Sequence, residues 1–328
     1  MRAAVSTRYG PPDVVAVRDD VPTPVPGPGE LLVRVEVTTV NRTDCAYRRA
    51  TPFFVRSFTG LRRPRRTVLG TEFAGEVVGT GAQVDRFAVG EMVFGYVEGR
   101  FGAHAEYLVV AQDGMVAKVP DGIGLREAAA ATEGCHYALS AIRRAGVRPG
   151  HRVLVNGGTG GIGSAAVQAL AELGASVTAV CRGAHLDLVR GLGAEHVIDF
   201  ETEDFTRSAT TYDVIIDAVG KSTFGRCRRI LTPDGIYISS ELGPFAQNLP
   251  LALIGSLRRG RQRVVFPFPD EGQAVVEGIR DRLAAGTFRP VIDRSYPLAD
   301  IVAAYRYVET GQKIGNVLID VRTAGSGA

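Results

Sequence analysis

Gly158, Gly160 and Gly163 stand at the spacing G-x-G-x-x-G within the run Asn156-Gly157-Gly158-Thr159-Gly160-Gly161-Ile162-Gly163. Glycines so spaced serve the binding of a pyrophosphate: the first permits a tight turn, the second lets the backbone approach the anion, and the third lets a helix pack closely on a strand. An apolar strand, Val153-Leu154-Val155, precedes the run and a helix, Ser164 to Leu170, follows it. The anion would therefore meet free N–H groups and the positive end of a helix dipole. The next strand, Ser176 to Val180, ends on Cys181 and Arg182, where NAD-preferring sites carry a carboxylate for the ribose hydroxyls. An arginine there can pair instead with a 2′-phosphate through two N–H donors. Gly158, Thr159, Gly160, Gly161, Ile162 and Gly163, together with Arg182, form a candidate site for NADPH in preference to NADH.

Other reactive residue types are scattered. The four cysteines, Cys45, Cys135, Cys181 and Cys227, include no C-x-x-C pair, and none of the five histidines, His104, His136, His151, His185 and His196, stands at metal-ligand spacing from one of them. Neither a disulfide framework nor a zinc knuckle is indicated. Glu133, Cys135 and His136 make a titratable trio, but neighbours on a helix point about 100° apart, which argues against Cys135 and His136 as a nucleophile and its base.

The elements that must position these residues fall into two patterns. Before residue 120, short β segments are punctuated by Gly and Pro, as in Pro22 to Gly29 followed by Glu30 to Val37, and this spacing predicts a compact β-rich domain. Near Val119-Pro120-Asp121 the composition turns to helix formers and then to the nucleotide unit. Further strands are predicted at His196–Ile198, Val214–Ala218, Ile236–Ser239 and Val264–Phe266, with helices such as Leu186 to Gly191 and Phe224 to Leu231 between them. Strand, helix and strand in repetition predict a doubly wound parallel sheet. Its strand ends place Ala218, Val219 and Gly220 after the fourth strand, and Ser239 and Ser240 after the fifth, beside the nicotinamide half of a dinucleotide. From Pro267 the pattern changes to helices over roughly Gly272 to Ala285 and Leu298 to Val308, and then to a last strand, Asn316 to Val321, expected to return to the first domain.

A chain of 328 residues with 45% apolar content has the prior of two domains. Its net charge of +3 is too small to argue for nucleic acid, although basic residues bunch over Arg62–Arg66 and Arg258–Arg263. No apolar stretch has the length of a membrane span, no secretory-type leader opens the sequence, and the cysteine usage fits a reducing cytoplasm.

Several motifs together resemble one family. They are Pro26-Gly27-Pro28-Gly29-Glu30-Leu31-Leu32-Val33, Val40-Asn41-Arg42-Thr43-Asp44, Leu69-Gly70-Thr71-Glu72-Phe73-Ala74-Gly75, Gly90-Glu91-Met92-Val93-Phe94-Gly95, the glycine run, and Asp217-Ala218-Val219-Gly220. Over nearly its whole length the chain is similar to the medium-chain dehydrogenases/reductases, and within them to the zinc-free, zeta-crystallin-like NADPH:quinone oxidoreductases. The resemblance implies an α/β fold. A GroES-like β-rich catalytic domain over residues 1–120 and 267–328 would be interrupted by a Rossmann NADP-binding domain over 121–266, with the active site between them and a homodimeric assembly. Zinc-dependent relatives place a cysteine at the position of Asn41, a histidine at that of Thr71 and a third ligand near Ala130, so no metal site is expected. An amide, a hydroxyl and a methyl do not supply zinc's ligand set. Glu72 and Asp44, at positions that resemble outer partners of that metal, become structural hydrogen-bonding groups.

The chemistry that follows is delivery of hydride from NADPH to a quinone or to the β-carbon of an α,β-unsaturated carbonyl. Asn41 and Thr71 are the expected donors to the oxygen on which charge grows, and Tyr47 or water is the expected proton source. Asn316 is similar to a family position that closes over the nicotinamide. The basic loop from Arg56 to Arg66 exceeds the family norm in length, and a lid or a landing surface for an acidic or carrier-bound substrate is expected of it. Two other readings stay open: a dedicated biosynthetic enzyme acting on one intermediate, and an NADPH- and RNA-binding protein of the crystallin kind.

Overall fold

The structure, a computed structural model, describes residues 1–322 apart from 52, 54, 55, 98, 240, 257–260 and 271, and leaves the side chains of 58, 245 and 256 undescribed as well. The chain forms two compact units, one of Met1–Glu133, Glu271–Ala285 and Ile292–Ala328, the other of Gly134–Asp270 and Gly286–Val291. The helix Thr132–Arg144 carries the chain from the first into the second.

In the first unit the eleven-residue strand Glu30–Val40 organises a seven-stranded sheet. Leu31, Val33, Val35 and Val37 alternate inward while Arg34 and Glu36 stay half-buried on the other face, the period-2 pattern of a strand with one face in the core. Glu72–Thr80 and Tyr107–Ala111 pair with it antiparallel, as does the returning C-terminal strand Asn316–Asp320, with Val317 opposite Val40. Where Glu72–Thr80 crosses Arg34 only glycine fits, because a Cβ at Gly75 would lie 2.0 Å from the Arg34 carbonyl oxygen. The helix Ile301–Glu309 closes the core with Ile301, Ala304, Tyr305 and Val308.

The second unit is a six-stranded parallel sheet. Its spatial order is His196–Asp199, Ser176–Cys181, Arg152–Asn156, Tyr212–Asp217, Leu231–Ser239, Arg263–Val265. In chain order this reads third, second, first, fourth, fifth, sixth, so the winding reverses between Arg152–Asn156 and Tyr212–Asp217, where a doubly wound sheet opens a crevice for a ligand. Val153, Leu154 and Val155 are fully buried, as strands covered on both faces require. One predicted helix is shorter than expected. Phe224–Cys227 makes a single α turn, a 3-10 turn follows at Arg228–Ile230, and Leu231 already belongs to the next strand, its side chain and that of Ile230 drawn into the core. Among the described residues no helix is long and apolar enough to cross a membrane, and all four cysteines are free and buried.

Candidate functional site

The glycine run forms the turn between the strand Arg152–Asn156 and the helix Gly161–Glu172. The amides of Gly157 and Gly158 both donate to the Val180 carbonyl (3.0 Å each), and Gly160 N donates to the Gly157 carbonyl (3.1 Å), which pins the turn to the neighbouring strand. The first intrahelical bond runs from Ser164 N to Gly160 O, and no side chain caps the helix. The first-turn amides of Gly161, Ile162 and Gly163 are thus the donors a helix leaves for an anion. Gly163 has no room for a side chain, since a Cβ there would lie 2.1 Å from the Gly157 oxygen, whereas one at Gly160 would meet nothing nearer than 3.6 Å. Gly160 therefore has room beside its backbone that Gly163 lacks.

At the reversal point of the sheet, Asp217 is fully buried and organises the turn that follows it. It accepts from Asn156 Nδ2 (2.9 Å), Tyr237 Oη (2.8 Å), Ser222 N (3.0 Å) and Val219 N (3.3 Å). Ala218, Val219 and Gly220 are held in place this way, and Gly220 takes a φ of +63°. Ser239 is buried, with its hydroxyl accepting from Glu241 N (3.2 Å). Ser240 lies outside the described residues. Arg182 is half-exposed and ion-paired, Nε to Glu201 Oε1 at 3.2 Å. Cys135 and His136 are core residues here, the imidazole Nε2 bonding the Asp270 carbonyl and the ring packing on Tyr137.

In the first unit, Asn41 and Thr71 meet directly. Asn41 Nδ2 donates to Thr71 Oγ1 (2.8 Å), and both side chains are buried. Asn41 also opens the helix Arg42–Arg49. Its Oδ1 accepts from Asp44 N (2.9 Å) while the Asp44 carboxylate accepts from Asn41 N (3.1 Å), a reciprocal cap that satisfies two orphan donors. Tyr47, on the same helix, is half-buried with its ring edge-on to Phe101 at 4.4 Å between centroids. Asn316 Nδ2 donates to the Ala130 carbonyl (3.2 Å).

Around this pair lies a set of ionisable groups, Glu72 and Glu133 buried and Lys313 half-buried. Glu72 Oε1 accepts from the Thr132 hydroxyl (2.9 Å) and Glu133 N (2.7 Å), and Oε2 from the Thr39 hydroxyl (2.6 Å). Glu133 accepts from the Thr43 hydroxyl (2.6 Å). Burial, and next to it the charge of Glu72, pushes the Glu133 carboxyl well above the usual carboxylate range. Burial also raises Glu72 and lowers the Lys313 ammonium, against the opposing pull of Glu133 and Glu72 on the latter. Lys313, whose Nζ donates to the Gly315 carbonyl, was not signalled by any motif. Its signal was composition: it is one of three lysines among 38 basic residues, and lysine can shed its proton on burial where arginine cannot.

Asp44 and His104 form a second buried pair, Oδ2 to Nε2 at 3.8 Å. His104 Nε2 bonds the Thr39 carbonyl (2.7 Å) and Nδ1 lies 3.3 Å from the Tyr305 hydroxyl, so the tautomer assigned is the neutral Nε2–H form. Asp44 also accepts from Gly70 N (2.9 Å). Burial pushes Asp44 up from 3.8 to about 7, with Glu72 adding to the rise, and pushes His104 down from 6.5 to about 4. Between about pH 4 and 6.5 the folded pair holds one proton, on Asp44, and the unfolded pair also holds one, on His104. The pair therefore gives stability no pH slope in that window. In His104→Gln only Asp44 remains, and its folded pKa lies above its unfolded one. The variant will lose stability relative to wild type as pH rises from about 4 to about 7, by about 1.4 kcal/mol per unit at most. Denaturant unfolding of both proteins across that range checks this, and parallel stability curves would contradict it.

The basic loop is anchored at its start. Arg56 stacks over the rings of Tyr9 (4.9 Å) and Phe53 (5.0 Å), and the Tyr9 hydroxyl bonds Thr59 Oγ1 and the Gly60 carbonyl, both at 2.7 Å. Arg62, Arg63, Arg65 and Arg66 are exposed, and Arg65, Arg66 and Arg100 border an open groove of about 440 Å³. In the second basic run, Arg258, Arg259 and Gly260 lie outside the described residues, and the Gln262 amide is spent on the carbonyls of Arg228, Leu231 and Thr232. Among the described residues no group of three His, Cys, Asp or Glu side chains is placed to hold a metal ion.

Comparison with known proteins agrees with this architecture. The alcohol dehydrogenase GroES-like domain family matches residues 27–121 and the zinc-binding dehydrogenase family matches residues 192–319. The chain is 29% identical to the 2-methylene-furan-3-one reductase of Solanum lycopersicum, over 97% of this chain and 79% of that protein. It is 28% identical to the chloroplastic NADPH-dependent alkenal/one oxidoreductase of Arabidopsis thaliana, with the same two coverages of 97% and 79%. Among solved structures, the quinone oxidoreductase from Coxiella burnetii superposes with a TM-score of 0.86 at 24% identity, over 98% of this chain and 99% of that one.

Proposed function

This chain belongs to the medium-chain dehydrogenase/reductase superfamily, in its quinone oxidoreductase-like family, and is an oxidoreductase that works with a nicotinamide nucleotide; we propose that it uses NADPH, without zinc, to reduce a quinone or the conjugated double bond of an α,β-unsaturated carbonyl. The observation that carries this reading is the hydrogen bond between Asn41 and Thr71 at the two positions where zinc-dependent relatives hold a thiolate and an imidazole. Zinc does not fit the groups present: an amide and a hydroxyl already bonded to each other, and alanine at the approximate third ligand position, Ala130, offer no thiolate, imidazole or carboxylate. Without a Lewis acid an alkoxide is hard to stabilise, so oxidation of simple alcohols is disfavoured and an already electron-poor carbon is the better hydride acceptor.

The nucleotide fits the second unit, where Gly160 leaves backbone space and the amides of Gly161, Ile162 and Gly163 present donors to a pyrophosphate. When bound, it supplies the hydride. Arg182 is proposed to hold the 2′-phosphate, and Ala218, Val219, Gly220, Ser239, Ser240 and Asn316 to border the nicotinamide end. At the carbonyl, the Thr71 hydroxyl accepts from Asn41, and its own proton meets no acceptor among the described residues. That proton is available to an oxygen on which charge develops, and Asn41 polarises the hydroxyl that donates it. Tyr47 or water then protonates carbon.

The names of two relatives support the substrate class, since 2-methylene-furan-3-one is a conjugated carbonyl and alkenals or alkenones carry a C=C bond together with a carbonyl. Metal-stripped protein is expected to consume NADPH with a linear enone or a quinone and to leave a saturated alcohol unoxidised in the reverse direction. Alcohol turnover restored by added zinc would overturn the reading. Tight NADPH binding without turnover of either acceptor would favour a single dedicated substrate or a binding role.

A further inference from the structure

The strands Ser176–Cys181 and His196–Asp199 run parallel with Cys181 opposite Asp199, and the alignment continues beyond them because Phe200 N donates to the Cys181 carbonyl (3.1 Å). The residues that leave the two strands therefore travel side by side. Arg182 Nε meets Glu201 Oε1 at 3.2 Å, with side-chain exposures of 50% and 47%. Glu201 is itself held, its amide donating to Asp199 Oδ1 (2.9 Å). Asp199 crowds the turn after Arg182 so closely that a Cβ at Gly183 would lie 2.5 Å from its Oδ2. The arginine that would read a 2′-phosphate thus already has a carboxylate on its Nε edge, and the ribose end of the site carries both the cationic and the acidic kind of reader.

We infer that Glu201 is a specificity-determining residue, competing with the 2′-phosphate for the Arg182 guanidinium and so narrowing the preference for NADPH over NADH. The inference rests on the reading of this site as a nicotinamide-nucleotide site. Guanidinium–phosphate pairing is strongest when two parallel N–H donors face two oxygens. With the Glu201 carboxylate at its Nε edge, the phosphate either takes the Nη donors beside a group of like charge or displaces Glu201. NADH has no such phosphate, and its 2′-hydroxyl can donate to a carboxylate. One side chain therefore weakens one nucleotide and is neutral or helpful to the other.

The test is direct binding of NADPH and of NADH, followed by nucleotide fluorescence without substrate, to wild type, Glu201→Gln, Arg182→Gln and the double variant. Both side chains are half-exposed, so the variants are expected to fold. Glu201→Gln will tighten NADPH about fivefold, in the range of one partly exposed ion pair, and will leave NADH unchanged or weaker. Arg182→Gln will weaken NADPH, and in that background Glu201→Gln will give at most the small relief of like-charge repulsion. High salt will shrink the wild-type difference between the nucleotides. An unchanged NADPH affinity in Glu201→Gln, equal shifts for both nucleotides, or a full effect persisting without Arg182 would each overturn the inference. If the wild type binds neither nucleotide, the cofactor reading itself falls; binding with an unmoved ratio removes only the role of Glu201.

Discussion

Alanine in place of Gly163 will cost the protein its nucleotide and part of its stability, while alanine in place of Gly160 will cost it the nucleotide alone. A Cβ added at Gly163 would stand 2.1 Å from the Gly157 carbonyl oxygen and 2.8 Å from its carbon. That backbone cannot give way cheaply, because Gly157 and Gly158 are both bonded to Val180 and Gly157 sits at φ +87°. Overpacking of this kind destabilises by about 1–3 kcal/mol, and the helix start must shift away from the place proposed for the anion. At Gly160 the backbone is ordinary, φ −72° and ψ 170°, and its nearest neighbour to a new Cβ is at 3.6 Å. The fold should tolerate Gly160→Ala within about 0.5 kcal/mol, as for a surface change, while the methyl would stand in the path proposed for the pyrophosphate. NADPH affinity is expected to fall at least tenfold in Gly160→Ala and more in Gly163→Ala, with thermal unfolding separating the two. A Gly160→Ala protein that binds NADPH like wild type would place the pyrophosphate elsewhere.

The contrast between these two glycines also marks what a sequence can carry. The turn, its strand and its helix are contiguous, so the spacing of Gly158, Gly160 and Gly163 states the local geometry outright, and the parallel strands declare themselves as apolar runs because both faces are covered. Arg182 was legible for the same reason, by its place at a strand end. Its partner Glu201 was not, since the pair forms only because two strands register Cys181 against Asp199. Likewise Thr39, Glu72, Thr132 and Glu133 come together from separate segments, and no local pattern announces their bonds. Asn41 shows a subtler limit. Asn41 with Asp44 three residues on is a readable helix start, and the same amide group whose Nδ2 meets Thr71 uses its Oδ1 as the cap.

That double duty decides how the candidate oxyanion donors should be tested. Asn41→Ala removes the cap together with the amide, costing about 0.5–2 kcal/mol through the helix alone, and a fall in rate would be ambiguous. Thr71 caps nothing; its side chain has one described bond, from Asn41. Thr71→Val keeps the shape and deletes the hydroxyl, so kcat for an enone should drop by about 10² to 10³, the usual effect of losing one such donor. Affinity for NADPH, measured by direct binding, should not move, because Thr71 is not among the residues proposed to hold the nucleotide. The variant will also unfold earlier, since the buried Asn41 Nδ2 loses its acceptor at about 1–3 kcal/mol. Thr71→Ser, which restores a hydroxyl with one methyl fewer, should recover most of kcat, although it leaves a small cavity and does not recover full stability. A Thr71→Val enzyme with kcat within about threefold of wild type would remove this hydroxyl from the chemistry. The Asn41–Thr71 bond would then be a structural replacement for the metal cross-link of zinc-dependent relatives, and the developing charge would have to find its donor on the nucleotide or in water.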